Sequence, residues 1–340
     1  KLERPEWTIG PGRAYGGRYA LDFSHEGVRD FKFNVIKEVF EKYDYDGLEI
    51  DFMRSPPYFM PGDEPKNAHI LTGLLRRVRD HLRIRGEERG RPIPLLVRVG
   101  ENLKTCELDG FDVATWIKDE LVDMIALGSG AKDIEVEEFK ELAQGTDVLI
   151  YAGPYSWKPE NVYLGLSTSY LHQGADGLYL FNWNAHGYHM FKARADGTAT
   201  HFQQPLLSVI SNPEAMRGRN KVFAADTGRP SPYYPHNWMH VVLPLEVTPG
   251  QPGDLMIMMG EDFSMNSSPK SIELAIRITG SAKVGVKLND VPVPGLQQGQ
   301  GGISARLRPD QLKLGRNRLS FSVERDRVTI NAAEIRVVYK

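Results

Sequence analysis

Residues 47–52 read Gly-Leu-Glu-Ile-Asp-Phe, and this short stretch decides how the fold is interpreted. Successive strand residues point to opposite faces, so Glu49 and Asp51 share one face and the apolar residues share the other. Strands of a parallel sheet are usually apolar on both faces, and inward carboxylates are costly unless they are paired or solvated. The stretch therefore predicts a parallel strand whose acidic face has a role.

The first two thirds of the chain alternate between strand-like and helix-like patterns. The predicted strands are 19–23, 47–52, 94–99, 123–127, 147–152 and 177–183, with amphipathic helices between them. Repeated units of this length imply a parallel sheet with right-handed crossovers, and we predict a (β/α)8-type TIM barrel. We place this catalytic barrel domain, incomplete in the chain, at residues 1–215.

The pattern changes near Asn220, where Pro and Gly begin to separate short strand-like runs. Apolar and polar residues alternate clearly in 273–278 and again in 334–339. Evenly spaced short strands with turn signals are typical of an antiparallel β-sandwich. We therefore expect a β-sandwich accessory domain at residues 220–340, which braces the barrel or helps it to bind a ligand.

Composition excludes several classes of protein. The 340 residues are 41% hydrophobic and 25% charged, with a formal charge of −2, so neither a nucleic-acid surface nor a membrane span is expected. The single Cys106 excludes an internal disulfide, and His186 and His189 lack a carboxylate at ligand spacing. We expect no metal or cofactor, and we favour a bacterial periplasmic or secreted location over a cytoplasmic one.

The next strand repeats the anomaly of an inward charge. Residues 95–100 read Leu-Leu-Val-Arg-Val-Gly, so Arg98 is expected to face inward and to bond Glu49 or Asp51. Glu101 follows at the strand end, next to Asp51 on the neighbouring strand, as in a two-carboxylate glycosidase site. The alternatives are that Glu49 and Asp51 are structural partners of Arg98 and that Glu101 is a solvated loop residue.

Other candidates follow the first and the last predicted strands. Asp22 and His25 are candidate substrate-binding residues, although Ser24 to Gly27 also fits a helix-capping loop. Aromatic faces with amide and imidazole neighbours suit sugar rings. The further candidates for the sugar site are Tyr155, Trp157, Asn182, Trp183 and His186. Core packing is the alternative for Trp183.

Four stretches together resemble a known family. They are Arg18–His25, Val28–Asp30, residues 43–54 (Tyr-Asp-Tyr-Asp-Gly-Leu-Glu-Ile-Asp-Phe-Met-Arg) and residues 174–183. They resemble bacterial glycosyl-hydrolase-like barrels of the family 10-like kind. The resemblance implies a barrel with sugar chemistry, in which strand 19–23 belongs to the third unit. The first two units are then expected upstream, in a second chain, or outside this sequence.

The phrase from Asp46 to Asp51 is also similar to that of chitinase-type barrels. Those barrels carry a Glu two residues after the last Asp, where this chain has Met53. A chitinase-like acid at that position is therefore excluded.

The leading functional hypothesis is a glycoside hydrolase that acts on a poly- or oligosaccharide. Asp51 would be nucleophile or base and Glu101 the general acid, while Arg98 and Arg54 would orient carboxylates or bind a sulfate or uronate. Two alternatives are a non-hydrolytic carbohydrate-binding protein on a degenerate barrel and a uronate polysaccharide lyase. The lyase would use Tyr155 or His186 as its base.

Overall fold

The computed structural model describes most of the chain. The described residues are 3–9, 20–54, 56–128, 130–154, 159–181, 204–227, 236, 241–264 and 268–339. They form two compact units that alternate along the chain. The first unit comprises residues 1–129, 134–152 and 230–239, and the second comprises 130–133, 153–229 and 240–340. The expected domain boundary near residues 215–220 stays a prediction.

The first unit contains parallel strands that alternate with helices, as the sequence pattern predicts. The strands are β1 (Leu48–Asp51), β2 (Leu95–Val99), β3 (Met124–Leu127) and β4 (Leu149–Ala152). They lie in the order β1-β2-β3-β4, and each pairs in parallel with the next. The helices are α1 (Glu26–Lys42), α2 (Ala68–Arg89), α3 (Leu103–Leu108), α4 (Val113–Lys118) and α5 (Val136–Leu142).

Two of these helices show how far periodicity predicts burial. The apolar stripe of α2 is buried, with Leu71, Val78 and Leu82 fully covered. The corresponding stripe of α1 is buried only at Val28 and Phe40. Helix α1 packs against α2 along one side, and apolar residues beyond that contact are exposed.

The start of the first unit differs from the prediction. A parallel strand was expected at residues 19–23, but residues 10–19 lie outside the described part of the chain. In the part that is described, Leu21 forms an isolated antiparallel bridge with Thr8. The backbone N–H of Asp22 donates to the carbonyl of Trp7 at 2.8 Å. This segment therefore pairs with the residues just before it rather than adding a parallel strand.

The second unit contains two antiparallel sheets. One has the strand order β11-β10-β14-β8, the other has the order β12-β13-β9-β15-β6, and β7 pairs with β15. The strands of this unit are β5 (Gly177–Leu178), β6 (Lys221–Ala224), β7 (Leu245–Val247), β8 (Gly253–Met259), β9 (Ser271–Thr279), β10 (Val284–Leu288), β11 (Val291–Pro292), β12 (Gln297–Gly299), β13 (Gly302–Leu307), β14 (Gly315–Val323) and β15 (Val328–Val338).

Both antiparallel sheets contribute to one apolar core, which includes Leu255, Ile276, Phe321 and Ile335. Buried and exposed residues alternate along β8, β9 and β10, which confirms the period-two pattern. Among the described residues from 241 to 339, the helical content is one 3-10 turn, Pro309–Gln311.

Helix α6 (Glu160–His172) and the short α7 (Pro213–Met216) also belong to the second unit. Two glycines let α6 approach the strands closely. A Cβ on Gly165 would lie 2.1 Å from the carbonyl oxygen of Val222, and one on Gly260 would lie 2.0 Å from that of Thr168. Any side chain at either position would force the helix away from the strands. In the described part of the chain, no helix is long and apolar enough to cross a membrane.

Candidate functional site

Arg98 connects the carboxyl ends of three neighbouring strands. Asp51 is the last residue of β1 and lies beside Arg98 of β2 in the parallel register. Arg98 Nη1 donates to Asp51 Oδ2 at 3.1 Å, and Arg98 Nε donates at 3.0 Å to the carbonyl of Gly128, which follows β3. The Arg98 side chain is only 4% exposed. The predicted bond between Arg98 and the acidic strand is confirmed.

The Asp51 carboxylate is held at both oxygens. Oδ1 accepts the backbone N–H of Met53 at 2.9 Å, while Oδ2 accepts from Arg98. The side chain keeps 25% of its surface exposed. Asp51 is therefore a fixed negative charge at a strand end that remains in contact with solvent.

Glu49 and Arg54, unlike Asp51 and Arg98, have exposed side chains. Glu49 was expected inside the barrel with Asp51, but its side chain is exposed, and this part of the prediction is wrong. Asp51, on the same face of β1, is only 25% exposed, so the covering of this face changes along the strand. Arg54 is also exposed. Both are placed for contact with solvent or ligand rather than for packing.

Glu101 is fully buried, which rules out its interpretation as a solvated loop residue. It lies two residues beyond β2, and its carbonyl accepts the backbone N–H of Glu135 at 3.0 Å. Asn102 follows as the N-cap of α3 and accepts the N–H of Thr105 at 2.8 Å. The side chain of Glu101 is thereby held in the interior at the same edge of the sheet as Asp51.

Asp22 and His25 lie at the start of α1. Asp22 is 5% exposed, and its Oδ1 accepts the backbone N–H of Ser24 at 2.9 Å. His25 is exposed and is the N-cap residue of α1, with no side-chain capping bond. Asp22 therefore stabilises a local turn just before α1 and does not cap the helix. The remaining candidates, Tyr155, Trp157, Asn182, Trp183 and His186, lie outside the described residues.

A second group of buried acids lies near Glu101 and was not predicted from the sequence. Asp109 ends α3 and is 1% exposed, and Glu64 is 2% exposed. His236 Nδ1 lies 2.7 Å from Asp109 Oδ1, and the histidine side chain is 23% exposed. No local pattern links residues 127 positions apart. A polar residue at the end of a short helix was the one available signal.

The environment of Asp109 favours its protonated form. Burial raises the pKa of Asp109, and the charges of Glu101 and Glu64 act in the same direction, while the bond to His236 opposes them. Among the described residues, no cluster of three His, Cys, Asp or Glu side chains is arranged to hold a metal ion.

A raised pKa in the folded state predicts a pH-dependent stability. Asp109 stabilises the folded state fully at pH values below the ordinary carboxyl pKa of about 4. This stabilisation is lost as the pH rises through the pKa that Asp109 has in the folded state. We expect the Tm of Asp109→Asn to rise relative to the Tm of the wild type as the pH increases from 4 to 8. Thermal unfolding followed by circular dichroism measures this. Asp80→Asn, at an exposed position of α2, should run parallel to the wild type, and parallel curves for Asp109→Asn would contradict the expectation.

Comparison of the sequence with protein-family models and with curated proteins gives no match. Similar solved structures include a glycoside hydrolase family 18 N-acetylglucosaminidase from Paenibacillus barengoltzii, with 20% identity over 38% of this chain and 46% of that one (TM-score 0.29). The cell-surface-expressed, multi-modular chitinase ChiW from a Paenibacillus species matches at 13% identity over 94% and 41% (TM-score 0.36). Chitinase ChiA74 from Bacillus thuringiensis matches at 10% identity over 94% and 79% (TM-score 0.32).

The chain thus spans less than half the length of the first two of these structures. The neighbours are glycoside hydrolases, whereas the family 10-like resemblance is not confirmed. At these TM-scores the similarity is partial, so the chemistry of this chain has to be inferred from its own side chains. At the position where chitinase-type barrels carry a Glu, this chain has the buried Met53.

Proposed function

We propose that this chain is a carbohydrate-active hydrolase whose site lies at the carboxyl ends of β1, β2 and β3. The observation that carries the proposal is the buried Arg98, which bonds Asp51 at the end of β1 and the Gly128 carbonyl after β3. Barrel enzymes place catalytic groups at this edge. We further propose that the parallel unit is part of a TIM-type barrel and that the antiparallel sheets form a β-sandwich.

Asp51 and Glu101 are the proposed pair of carboxylates. Asp51 would be the nucleophile or base, since Arg98 and the Met53 N–H fix its position while part of it stays exposed. Glu101 would be the general acid, because Arg98 bonds Asp51 and leaves the proton-donor role to the other carboxyl of the pair. Asp51 ends β1 and Glu101 lies two residues beyond β2, which suits the two-carboxylate arrangement of glycosidases.

Other residues would bind the substrate around this pair. Glu49 and Arg54 are exposed beside Asp51 and would contact sugar hydroxyls or an anionic substituent. The aromatic and polar residues proposed to line the sugar site are Tyr155, Trp157, Asn182, Trp183 and His186. We also propose a periplasmic or secreted location.

A non-hydrolytic carbohydrate-binding protein is the second candidate. Both oxygens of Asp51 already accept hydrogen bonds, which lowers the reactivity of this carboxylate as a nucleophile. Met53 likewise offers no acid at the chitinase-type position. The two candidates share a sugar site and differ only in whether a glycosidic bond breaks.

Replacement of Glu101 tests the hydrolase. The wild type and Glu101→Gln are assayed on a panel of neutral, sulfated and uronate-containing glycans. We expect kcat to fall about 100-fold in the variant, because the amide keeps the shape and cannot donate the proton. Oligosaccharide binding, measured by calorimetry, should be retained.

Glu107→Gln is the matched control, since Glu107 is an exposed glutamate on the adjacent α3 that bonds Lys104. It should keep wild-type turnover. If no glycan is cleaved but oligosaccharides bind equally to all three proteins, the binding-protein candidate replaces the hydrolase.

A further inference from the structure

A cavity of about 320 Å³ lies within the second unit, and its lining residues differ from those of the proposed site. It is bounded by the C-terminal end of α6, by α7, by the start of β6 and by the residues that follow β8. Its volume lies near the lower end of the range for ligand pockets, about 300–1,000 Å³. The cavity therefore suits a small molecule or the end of a longer one.

One wall of this cavity carries a buried carboxylate that the protein holds in place. Glu261 lines the cavity and is 6% exposed. Its Oε2 accepts Lys221 Nζ at 2.7 Å, and its Oε1 accepts the Tyr339 hydroxyl at 2.6 Å. Lys221 Nζ also donates to the carbonyls of Met216 and Arg219, at 2.7 and 3.3 Å. A carboxylate has about four acceptor positions, so Glu261 can still accept hydrogen bonds from a ligand.

Three more polar side chains on the cavity wall supply both donors and acceptors. Asp262 Oδ1 accepts the N–H and the hydroxyl of Ser264, at 2.9 and 2.6 Å, which fixes the carboxylate. Arg217 donates to Glu214 at 2.7 Å, and half of its side chain is exposed. His172 is the exposed last residue of α6, and a neutral imidazole offers one donor and one acceptor.

Apolar side chains complete the wall, and its charges are balanced. Leu171 and Met216 line the cavity, and Leu314 lines it with 45% of its surface exposed. Apolar walls with a few placed polar groups are typical of small-molecule sites. The buried Lys–Glu pair is neutral as a whole, and the aspartate and arginine beside it carry opposite charges. The wall therefore favours a neutral ligand that both donates and accepts hydrogen bonds.

We propose that this cavity binds a neutral sugar, either a single ring or the end of a glycan chain. The choice of a sugar as the ligand rests on the proposed function, although the catalytic pair has no part in the binding. Glu261 and Asp262 accept hydrogen bonds from sugar hydroxyls, Arg217 and His172 donate to hydroxyl oxygens, and the C–H face of the ring lies on Leu314. A buried ion pair adds little stability over apolar residues, so its place on a cavity wall is explained if it presents a carboxylate to a ligand.

Amide hydrogen exchange followed by mass spectrometry locates the bound sugar. The probes are D-glucose, D-galactose, D-mannose and D-xylose, which contain no glycosidic bond that a hydrolase could cleave. At saturation, we expect at least one of them to slow exchange about twofold or more in peptides that cover residues 168–172 and 258–264. Isothermal titration calorimetry then gives the Kd of that sugar.

Single substitutions on the cavity wall test the assigned contacts. Asp262→Asn and Arg217→Ala should each raise the Kd about ten-fold, because each removes a charged hydrogen-bond partner of the sugar. The matched controls are Asp254→Asn and Arg325→Ala, which alter exposed residues of the same unit that do not line the cavity. They should leave the Kd unchanged, and circular dichroism should show that all four variants are folded.

A double variant tests the part played by the buried pair. Lys221→Met with Glu261→Met replaces the pair by apolar residues of similar volume, which should preserve the fold. We expect this variant to lose exchange protection by the sugar in both peptides. A double variant that is folded and binds the sugar with the wild-type Kd would contradict the role of Glu261.

The outcomes separate the cavity site from the proposed function. If none of the four sugars slows exchange in these peptides, or if free glycine does so and no sugar does, the sugar site is overturned. Protection confined to peptides that cover residues 47–54 and 98–105 would support the strand-end site and overturn the cavity site. Protection in the cavity peptides by a wild type that cleaves no glycan would support the cavity site and overturn the hydrolase.

Discussion

Asp51→Asn is expected to lower the turnover of any glycan substrate about 1,000-fold, the largest loss of activity among the described carboxylates. The amide has nearly the shape of the carboxylate but lacks its charge, so it cannot serve as nucleophile or base. Steady-state assays on the glycan that the wild type cleaves best would measure this loss. Oligosaccharide affinity should change far less than kcat.

The same substitution, Asp51→Asn, should lower the free energy of unfolding only modestly. The amide of the variant keeps an oxygen that accepts from Arg98 or from the Met53 N–H, but the charge-assisted bond to the buried guanidinium is lost. We expect the free energy of unfolding to fall by about 1–2 kcal/mol, measured by urea denaturation. The loss of activity would therefore not reflect unfolding.

Asp80→Asn is the matched control for Asp51→Asn, because Asp80 is an exposed aspartate on α2 of the same unit. It should leave turnover and stability within error of the wild type. Wild-type turnover in Asp51→Asn would show that β1 does not carry the chemistry. The proposed site would then have to be sought elsewhere in the chain.

The bond between Asp51 and Arg98 was predictable because two general rules converge on it. Strand parity placed both side chains on one face, and the cost of a lone buried charge required them to meet. The alternation of the β-rich half was predictable for a related reason, since one buried face imposes a period of two. Such features depend only on residues that are close in the sequence and on the pairing of one strand with its neighbour.

The errors arose where burial depends on what lies beside an element. Glu49 has the parity of Asp51 and is nonetheless exposed, because enclosure is a property of the whole sheet and not of one strand. The stripe of α1 is half exposed for the same reason. The contact between Asp109 and His236 joins positions far apart in the chain, and only the tertiary fold brings them together.

A further prediction concerns the stability of the second unit, which contains a buried ion pair. Lys221 at the start of β6 has no exposed side-chain surface, and its Nζ bonds Glu261 Oε2 at 2.7 Å and the Met216 carbonyl at 2.7 Å. Glu261 also accepts the Tyr339 hydroxyl at 2.6 Å. Burial lowers the pKa of Lys221, and Glu261 counteracts this effect. Glu261 therefore offsets part of the cost of burying this cation.

Lys221→Met should lower the free energy of unfolding by about 3–5 kcal/mol, since it leaves the Glu261 carboxylate buried without its cation. Urea denaturation followed by circular dichroism would measure this loss. The double variant Lys221→Met with Glu261→Met should recover most of it, because apolar residues of similar volume replace a buried pair at little cost. Lys270→Met, at an exposed lysine of the same unit, should stay within about 0.5 kcal/mol of the wild type. A loss below about 1 kcal/mol in Lys221→Met, or a double variant weaker than the single one, would mean that the pair is hydrated and contributes little.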